Sequence, residues 1–281
     1  MKRFVAIALL LLISFKSSAQ EEKTENVWKK GGHFGLIFTQ TSFKNWTKGG
    51  QDALAGNLKI NYDINYKDQK QTWDNKFYFG YGLTRIEDLT KKTDDNFEFN
   101  SIYGRNLKKY WKFSFYANLK TQLTTGYEYG DTTKTKISNF FAPAFISAGP
   151  GLLYKRSENF YINFAPITSR LIVVTDPDLN ATGAFGVDPG KSLRYELGMN
   201  YQMFFKFDLM KNITVENMFN AFSNYLDKPQ NVDIDNLLTL RMKINKYLSA
   251  NFSLHTLYDD NTLPKVQYSQ LFGLEFGLDL K

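Results

Sequence analysis

The stretch that decides the fold is residues 53–83, which read ALAGNLKINYDINYKDQKQTWDNKFYFGYGL. From Leu54 to Tyr66, every second position is aliphatic, aromatic or glycine, and the positions between them are mostly polar. After the polar turn 67–71, the alternation resumes from Trp73 to Leu83. A period of two residues is typical of a β-strand with one apolar and one polar face. The stretch therefore predicts a long β-hairpin.

The length of these two strands indicates a membrane protein. Strands of soluble proteins usually have about 5–6 residues, and these run to about a dozen or more. A strand with lipid on one side and a wet lumen on the other explains both the length and the alternation. The remaining chain repeats the pattern, so the predicted fold class is all-β: a transmembrane antiparallel up-and-down β-barrel of about 12 strands. The alternative is a soluble β-sandwich with aromatic corners.

The composition is consistent with a barrel and excludes several other classes. The chain of 281 residues contains 25 Phe and 17 Tyr, yet its mean hydropathy is only −0.39, as expected when half of each strand is polar. It contains no Cys, which excludes a disulfide framework and thiol chemistry. The formal net charge of +7 is too small, and too dispersed, to indicate nucleic-acid binding.

The N-terminal segment predicts export. Residues 1–19 have a basic start, an apolar core and small residues before Gln20, which is the pattern of a signal peptide. Residues 20–30 are polar and charged and are predicted to form a periplasmic N-terminal segment. Residues 31–281 are predicted to form the barrel, with the first strand at His33–Phe43.

The predicted connections differ in length by parity. Those after even-numbered strands are short, and those after odd-numbered strands are longer, which is typical of an outer-membrane barrel with periplasmic N- and C-termini. The predicted outer loops include Ile86–Asn96, Gly130–Ser138, Thr175–Gly190 and Asp259–Val266.

Two segments carry a resemblance to known proteins. Residues 273–278, GLEFGL, look like the carboxy-terminal signal that the barrel-insertion machinery reads. The front half, from Gly32 to Gly82, resembles a family of uncharacterised outer-membrane proteins from Bacteroidota. The shared features are a glycine-led first strand, the segment Asn45-Trp46 followed by Gly49-Gly50, and a hairpin that contains Trp73-Asp74-Asn75. The resemblance implies a barrel in the outer membrane, with lipid, lipopolysaccharide and the insertion machinery as partners, and implies no particular chemistry.

Charged residues on the polar parity are the candidate functional residues. Because charges are costly in hydrocarbon, we expect them to face water or each other inside the barrel. These charges can seal the interior through ion pairs or line a channel. Strand number does not decide between the two, because a barrel of twelve strands is wider than the small barrels that side chains fill and narrower than the large barrels that enclose an open pore. The lumen-facing candidates are Lys59, Asp63, Lys76, Lys112, Lys120, Arg194, Glu196, Arg241, Lys243 and Glu275.

A second candidate is the outer-mouth segment formed by Asn45, Trp46, Gly49 and Gly50, which joins the first two strands. A loop intended only for solvent needs neither a Trp nor a Gly pair. We expect Trp46 either to tuck against the barrel mouth or to belong to the aromatic belt at the lipid boundary.

Catalysis and metal binding are the weaker hypotheses. Ser253 and His255 share the lumen face with Asn251, but alternate residues lie about 7 Å apart along a strand, too far for a nucleophile and its base. Aspartates in or near the predicted outer loops could bind calcium or simply be solvated. They are Asp176, Asp178, Asp188, Asp233 and Asp235. The sequence predicts no enzyme activity and no cofactor.

Two functions from different classes remain open. The first is a narrow channel for a small polar solute. The second is a non-conducting structural or accessory barrel of an envelope complex. Conductance in a planar bilayer distinguishes them.

Overall fold

The computed structural model describes residues 27–43, 51–130 and 133–280, and in this part of the chain strands dominate. Their bounds are β1 Val27–Thr41, β2 Ala53–Lys67, β3 Gln71–Ile86, β4 Leu89–Lys108, β5 Trp111–Thr121, β6 Gly126–Tyr129, β7 Lys134–Ser138, β8 Ala144–Ser157, β9 Phe160–Val173, β10 Leu193–Met210, β11 Ile213–Asn224, β12 Val232–Lys243, β13 Leu248–Asp259 and β14 Leu263–Leu280. Among the described residues, no helix is long and apolar enough to cross a membrane.

Twelve of these strands form one closed antiparallel barrel, in the order β1-β14-β13-β12-β11-β10-β9-β8-β5-β4-β3-β2. The barrel closes where β1 pairs with β14, from Gly32 opposite Leu280 to Phe38 opposite Leu274. The remaining two strands, β6 and β7, form a separate hairpin in the β5–β8 connection. The predicted all-β class and the predicted number of barrel strands are confirmed.

The outer wall of the barrel is apolar and exposed. Large exposed side chains recur on the outward parity of most barrel strands, for example Phe113, Ile167 and Phe276, whose exposed fractions are 63%, 60% and 58%. Aromatic rings cluster at the barrel end that carries Val27 and Leu280, which we call the terminal end. There the ring centroids of Trp28 and Trp73 lie 6.3 Å apart. Such rings suit the boundary between lipid and water.

Several predicted loops are partly strand. Most of the predicted loop Ile86–Asn96 is the first part of β4. The sequence did not show this strand because the register with β3 shifts opposite Gly82 and Leu83, and this shift interrupts the alternation. Part of the predicted loop Gly130–Ser138 is β7. The predicted loop Asp259–Val266 is shorter because β14 begins at Leu263. The first strand begins at Val27, six residues before the predicted start, and residues 27–30 pair with β2.

The connection between β9 and β10, residues 174–192, folds over the mouth at the opposite end, which we call the loop end. The predicted loop Thr175–Gly190 in fact holds the short helix α1, Pro177–Ala181, which Asp176 caps through the backbone amides of Asp178 and Leu179. Buried Leu179 and Val187 pack against Ile172 of β9. A Cβ at Gly186 would lie 3.0 Å from Asn261, in the β13–β14 turn. This connection therefore reaches across the mouth.

The β6–β7 hairpin is tied to the same connection by Lys136. Its Nζ lies 2.9 Å from Asp176 and 2.5 Å from Asp178. Burial alone would raise the pKa of Asp176, but the hydrogen bonds from Lys136, Asn139 and the Leu179 amide lower it to about 2. The Asp176 carboxyl therefore stays ionised, and the link stays intact, across the physiological pH range.

Candidate functional site in the barrel lumen

One side of the barrel interior is a dry apolar core. Inward side chains of five adjacent strands, β4, β5, β8, β9 and β10, pack together there. Tyr116 and Ala165 are fully buried, and the rings of Tyr161 and Phe204 stack at a centroid distance of 5.4 Å. This half of the lumen is filled by side chains, as in a smaller barrel.

The other side of the lumen is polar and reachable by water. Inward residues of β2, β12, β13 and β14 form this wall. Asp63, Asp235 and His255 have side chains that are 38%, 33% and 30% exposed, although they point into the barrel. Ser269 of β14 is exposed on the same wall. The interior is therefore divided into a packed half and a wet half.

A salt bridge crosses the lumen between these halves. Lys120 of β5 contacts the carboxylate of Asp235 on β12. Four strands separate β5 from β12 on one side of the ring and six on the other, so the two residues lie on nearly opposite walls. His255 of β13 holds Asp235 from behind, with Nε2 2.7 Å from the second carboxylate oxygen. This trans-lumen cluster narrows the wet half from wall to wall.

A second contact crosses the barrel nearer the terminal end. Lys76 of β3 pairs with Asp63 at 2.8 Å, and its ammonium lies 4.7 Å from the ring centroid of Phe204 on β10. Lys112 donates to Asn106 on the neighbouring β4. The cation–π contact joins the wet wall to the dry core.

A buried ion pair lies between β8 and β3, again at the terminal end. Lys155 Nζ is 2.8 and 2.7 Å from the two carboxylate oxygens of Asp74, and both side chains are nearly inaccessible to solvent. Glu158, which is more exposed, accepts from the same ammonium at 2.7 Å. Three hydrogen bonds thus satisfy the lysine, which is the condition for a charge to remain buried.

The seam of the barrel is organised by Glu275 of β14, which is 2% exposed. Its carboxylate accepts from Ser249 at 3.1 Å and from Asn251 at 3.0 Å, and Arg241 Nε lies 3.4 Å away. His33 of β1 places Nε2 2.9 Å from Glu275. One carboxylate therefore joins β1, β12, β13 and β14.

Two glycines give this cluster its room. A Cβ at Gly35 would lie 2.9 Å from the Glu275 carboxylate, and one at Gly277 would lie 2.5 Å from the His33 ring. The other His33 nitrogen, Nδ1, lies 2.9 Å from Asp279. The His33 ring therefore lies between the carboxyl groups of two β14 residues.

At the loop end, two arginines pair with another group of carboxylates. Arg170 of β9 lies 2.5 Å from Asp233 and 3.5 Å from Glu196. Arg194 contacts Glu196 at 3.0 Å and donates to the Gly186 carbonyl at 2.9 Å. The residues of the mouth are therefore linked to the covering connection 174–192.

Of the ten predicted lumen residues, eight belong to the clusters described above, Lys59 donates to Ser253, and Lys243 belongs to none of these clusters. All ten lie on the parity of their strands that faces the barrel interior. They are Lys59, Asp63, Lys76, Lys112, Lys120, Arg194, Glu196, Arg241, Lys243 and Glu275. The outer-mouth segment, Asn45, Trp46, Gly49 and Gly50, lies outside the described residues. The sequence prediction missed two charged residues of the lumen, Arg170 and Lys155. Arg170 follows a register shift near Pro166, and that proline was the available signal.

The catalytic and calcium hypotheses gain no matching geometry in the described residues. Ser253 accepts from Lys59 at 3.2 Å, whereas His255 contacts Asp235, so serine and histidine are paired with different partners. The predicted loop aspartates do not converge on one point. Asp233 instead lies near Asp259 and Asp260, with one carboxylate oxygen of each residue within 4.8 Å of the others, and it also pairs with Arg170.

A protein-family model matches part of the chain. Residues 38–127 match the family described as "Protein of unknown function (DUF3078)". This region is less than half of the chain and does not assign the whole protein to that family. No curated protein is similar enough in sequence to count as a match.

Among solved structures, similar ones are outer-membrane barrels with very low identity. An outer membrane channel from Pseudomonas putida F1 is 9% identical, with 95% of this chain and 99% of that chain covered and a TM-score of 0.39. Outer membrane phospholipase A from Escherichia coli is 11% identical, with 92% and 94% covered and a TM-score of 0.39. The translocator domain of the autotransporter NalP from Neisseria meningitidis is 8% identical, with 100% and 95% covered and a TM-score of 0.32. Because these TM-scores are low, the assignment of a barrel fold depends on the strand pairing of this chain and not on these comparisons.

Proposed function

We propose that this protein is an outer-membrane β-barrel that forms a narrow channel for small polar solutes. The membrane location is supported by the exposed apolar wall around a closed barrel, because such a surface is stable in lipid and not in water. Periplasmic termini are supported by the short turns at the terminal end, such as residues 109–110, 158–159 and 211–212. Lipid and lipopolysaccharide are then its surroundings, and the barrel-insertion machinery its assembly partner.

The observation that carries the channel proposal is the wet half of the lumen. A sealed scaffold has no need for partly exposed polar side chains in its interior, yet Asp63, Asp235 and His255 are all reached by solvent there. A path lined by these residues suits polar solutes and excludes lipid-like ones. The dry half limits the width of the path, so the solute must be small.

The trans-lumen pair Lys120–Asp235 is the constriction of this path. We expect wild-type protein in a planar bilayer to show a small conductance, because the pair crosses the wet half. The double variant Lys120→Gln/Asp235→Asn removes both charges and leaves neither one unpaired. Its conductance should exceed that of wild type by about twofold or more, since the two side chains are no longer held against each other across the path.

The matched control is Lys206→Gln/Glu216→Gln. This pair, at 3.0 Å, also joins a lysine to a carboxylate, but its strands β10 and β11 are neighbours, so it does not cross the lumen. Its conductance should remain close to that of wild type. If wild type and the Lys120/Asp235 double variant both stay silent while folded, the channel proposal fails and the non-conducting accessory barrel becomes the better account.

A further inference from the structure

A basic pocket lies at the terminal end of the barrel, away from the trans-lumen pair. It has a volume of about 370 Å³. It is formed where β10 ends, β11 begins and β12 ends, and its lining residues are Asp208, Met210, Lys211, Asn212, Thr214, Arg241 and Lys243.

The charges that line this pocket do not balance. Glu275 and Asp279 pair with Arg241, so the unpaired excess of charge lies on Lys211 and Lys243. The one lining carboxylate, Asp208, already accepts from Thr214 at 2.8 Å. Elsewhere in the lumen, most lysines and arginines contact a carboxylate. Within residues 27–43, 51–130 and 133–280, Lys211 and Lys243 form neither an ion pair nor a side-chain hydrogen bond.

The guanidinium of Arg241 is fixed in place, unlike the two lysines. Glu275 lies 3.4 Å from its Nε, and Asp279 lies 3.5 Å from its Nη1. These contacts orient the planar group and leave other N–H donors for a ligand. A held arginine beside two unpaired lysines is an arrangement that binds phosphate or carboxylate oxygens.

We propose that this pocket binds a phosphate-like oxyanion, with Lys211 and Lys243 as the principal charges and Arg241 as the oriented donor. The oxyanion can be free in solution or belong to a phospholipid headgroup at the membrane surface. Binding does not require the barrel to conduct, so the proposal stands or falls independently of the channel.

The test is calorimetric titration of the full-length barrel, purified in a neutral detergent, with inorganic phosphate. Wild type should bind phosphate saturably. Lys211→Gln/Lys243→Gln should bind about tenfold more weakly, because two charge-assisted contacts are lost. Asp208→Asn should bind more tightly than wild type, since it removes the one repulsive carboxylate. A purely structural role for these residues predicts no such increase.

The control double variant is Lys109→Gln/Lys246→Gln. These lysines are in turns at the same end but outside the pocket, and their ammonium groups lie 4.9 and 5.2 Å from the ring centroids of Tyr110 and Tyr247. The variant loses the same net charge and should bind phosphate like wild type. Equal weakening in both double variants, or no saturable binding by wild type, would overturn the proposal.

A second titration distinguishes the two sources of the oxyanion. It repeats the experiment in nanodiscs of phosphatidylcholine with and without phosphatidylglycerol. If phosphatidylglycerol leaves the phosphate affinity unchanged, the ligand is a soluble oxyanion. If phosphatidylglycerol weakens phosphate binding by wild type, but not by Lys211→Gln/Lys243→Gln, the ligand is a lipid headgroup.

Discussion

Lys155→Met is expected to lower the free energy of unfolding by about 3–5 kcal/mol, because it leaves the Asp74 carboxylate buried without a counter-charge. Lys155 and Asp74 are both nearly inaccessible, and the pair joins β8 to β3 across two intervening strands. The measurement is urea unfolding of the barrel in lipid vesicles, followed by tryptophan fluorescence.

Two companion variants separate this effect from the loss of a long side chain. Lys155→Met/Asp74→Leu should be more stable than Lys155→Met alone, since it removes the unpaired charge together with its partner. Lys206→Met breaks the more exposed pair with Glu216 and should cost less than about 1 kcal/mol. A double variant less stable than the single one would show that burial of an unpaired charge is not the cause.

The second large effect is expected at the seam. Glu275→Leu removes the carboxylate that His33, Arg241, Ser249 and Asn251 share, and leaves these buried or half-buried groups without their acceptor. Unfolding free energy should fall by about 3–5 kcal/mol. The folded fraction is also visible as the heat-modifiable band on a gel without boiling.

Asp279→Asn is the matched control for Glu275, because Asp279 contacts the same two residues, His33 and Arg241, but is 67% exposed. Solvent screens this carboxylate, so its loss should cost less than about 1 kcal/mol. Comparable losses in Glu275→Leu and Asp279→Asn would contradict the role assigned to the buried carboxylate.

Much of the barrel is predictable from sequence because the two-residue period is unbroken over whole strands. The hairpin 53–83 gives β2 and β3 with nearly their observed bounds. Two of the errors occur at bulges, where one extra residue reverses the parity. The register shift at Gly82/Leu83 concealed the start of β4, and the shift at Gly198/Asn200 placed Arg170 on the unexpected face.

The inward direction of the charged residues was also predictable, but their partners were not. Lys120 and Asp235 are 115 positions apart and meet only because strand order and register bring β5 opposite β12. Parity assigns a side chain to a face and carries no information about which residue lies across the lumen. The same reason explains why the dry and wet halves could not be distinguished from composition.

We propose that solutes pass through the wet half of the lumen, beside residue 120. The most direct test is single-channel recording of Lys120→Cys while an anionic methanethiosulfonate reagent is added. The chain has no other cysteine, so this variant carries a single thiol. Ala165→Cys, at a fully buried position in the dry half, serves as the control. We expect a stepwise change in current on modification of Cys at position 120 and none for the control. An unchanged current through a conducting channel, with modification at position 120 verified by mass spectrometry, would contradict it.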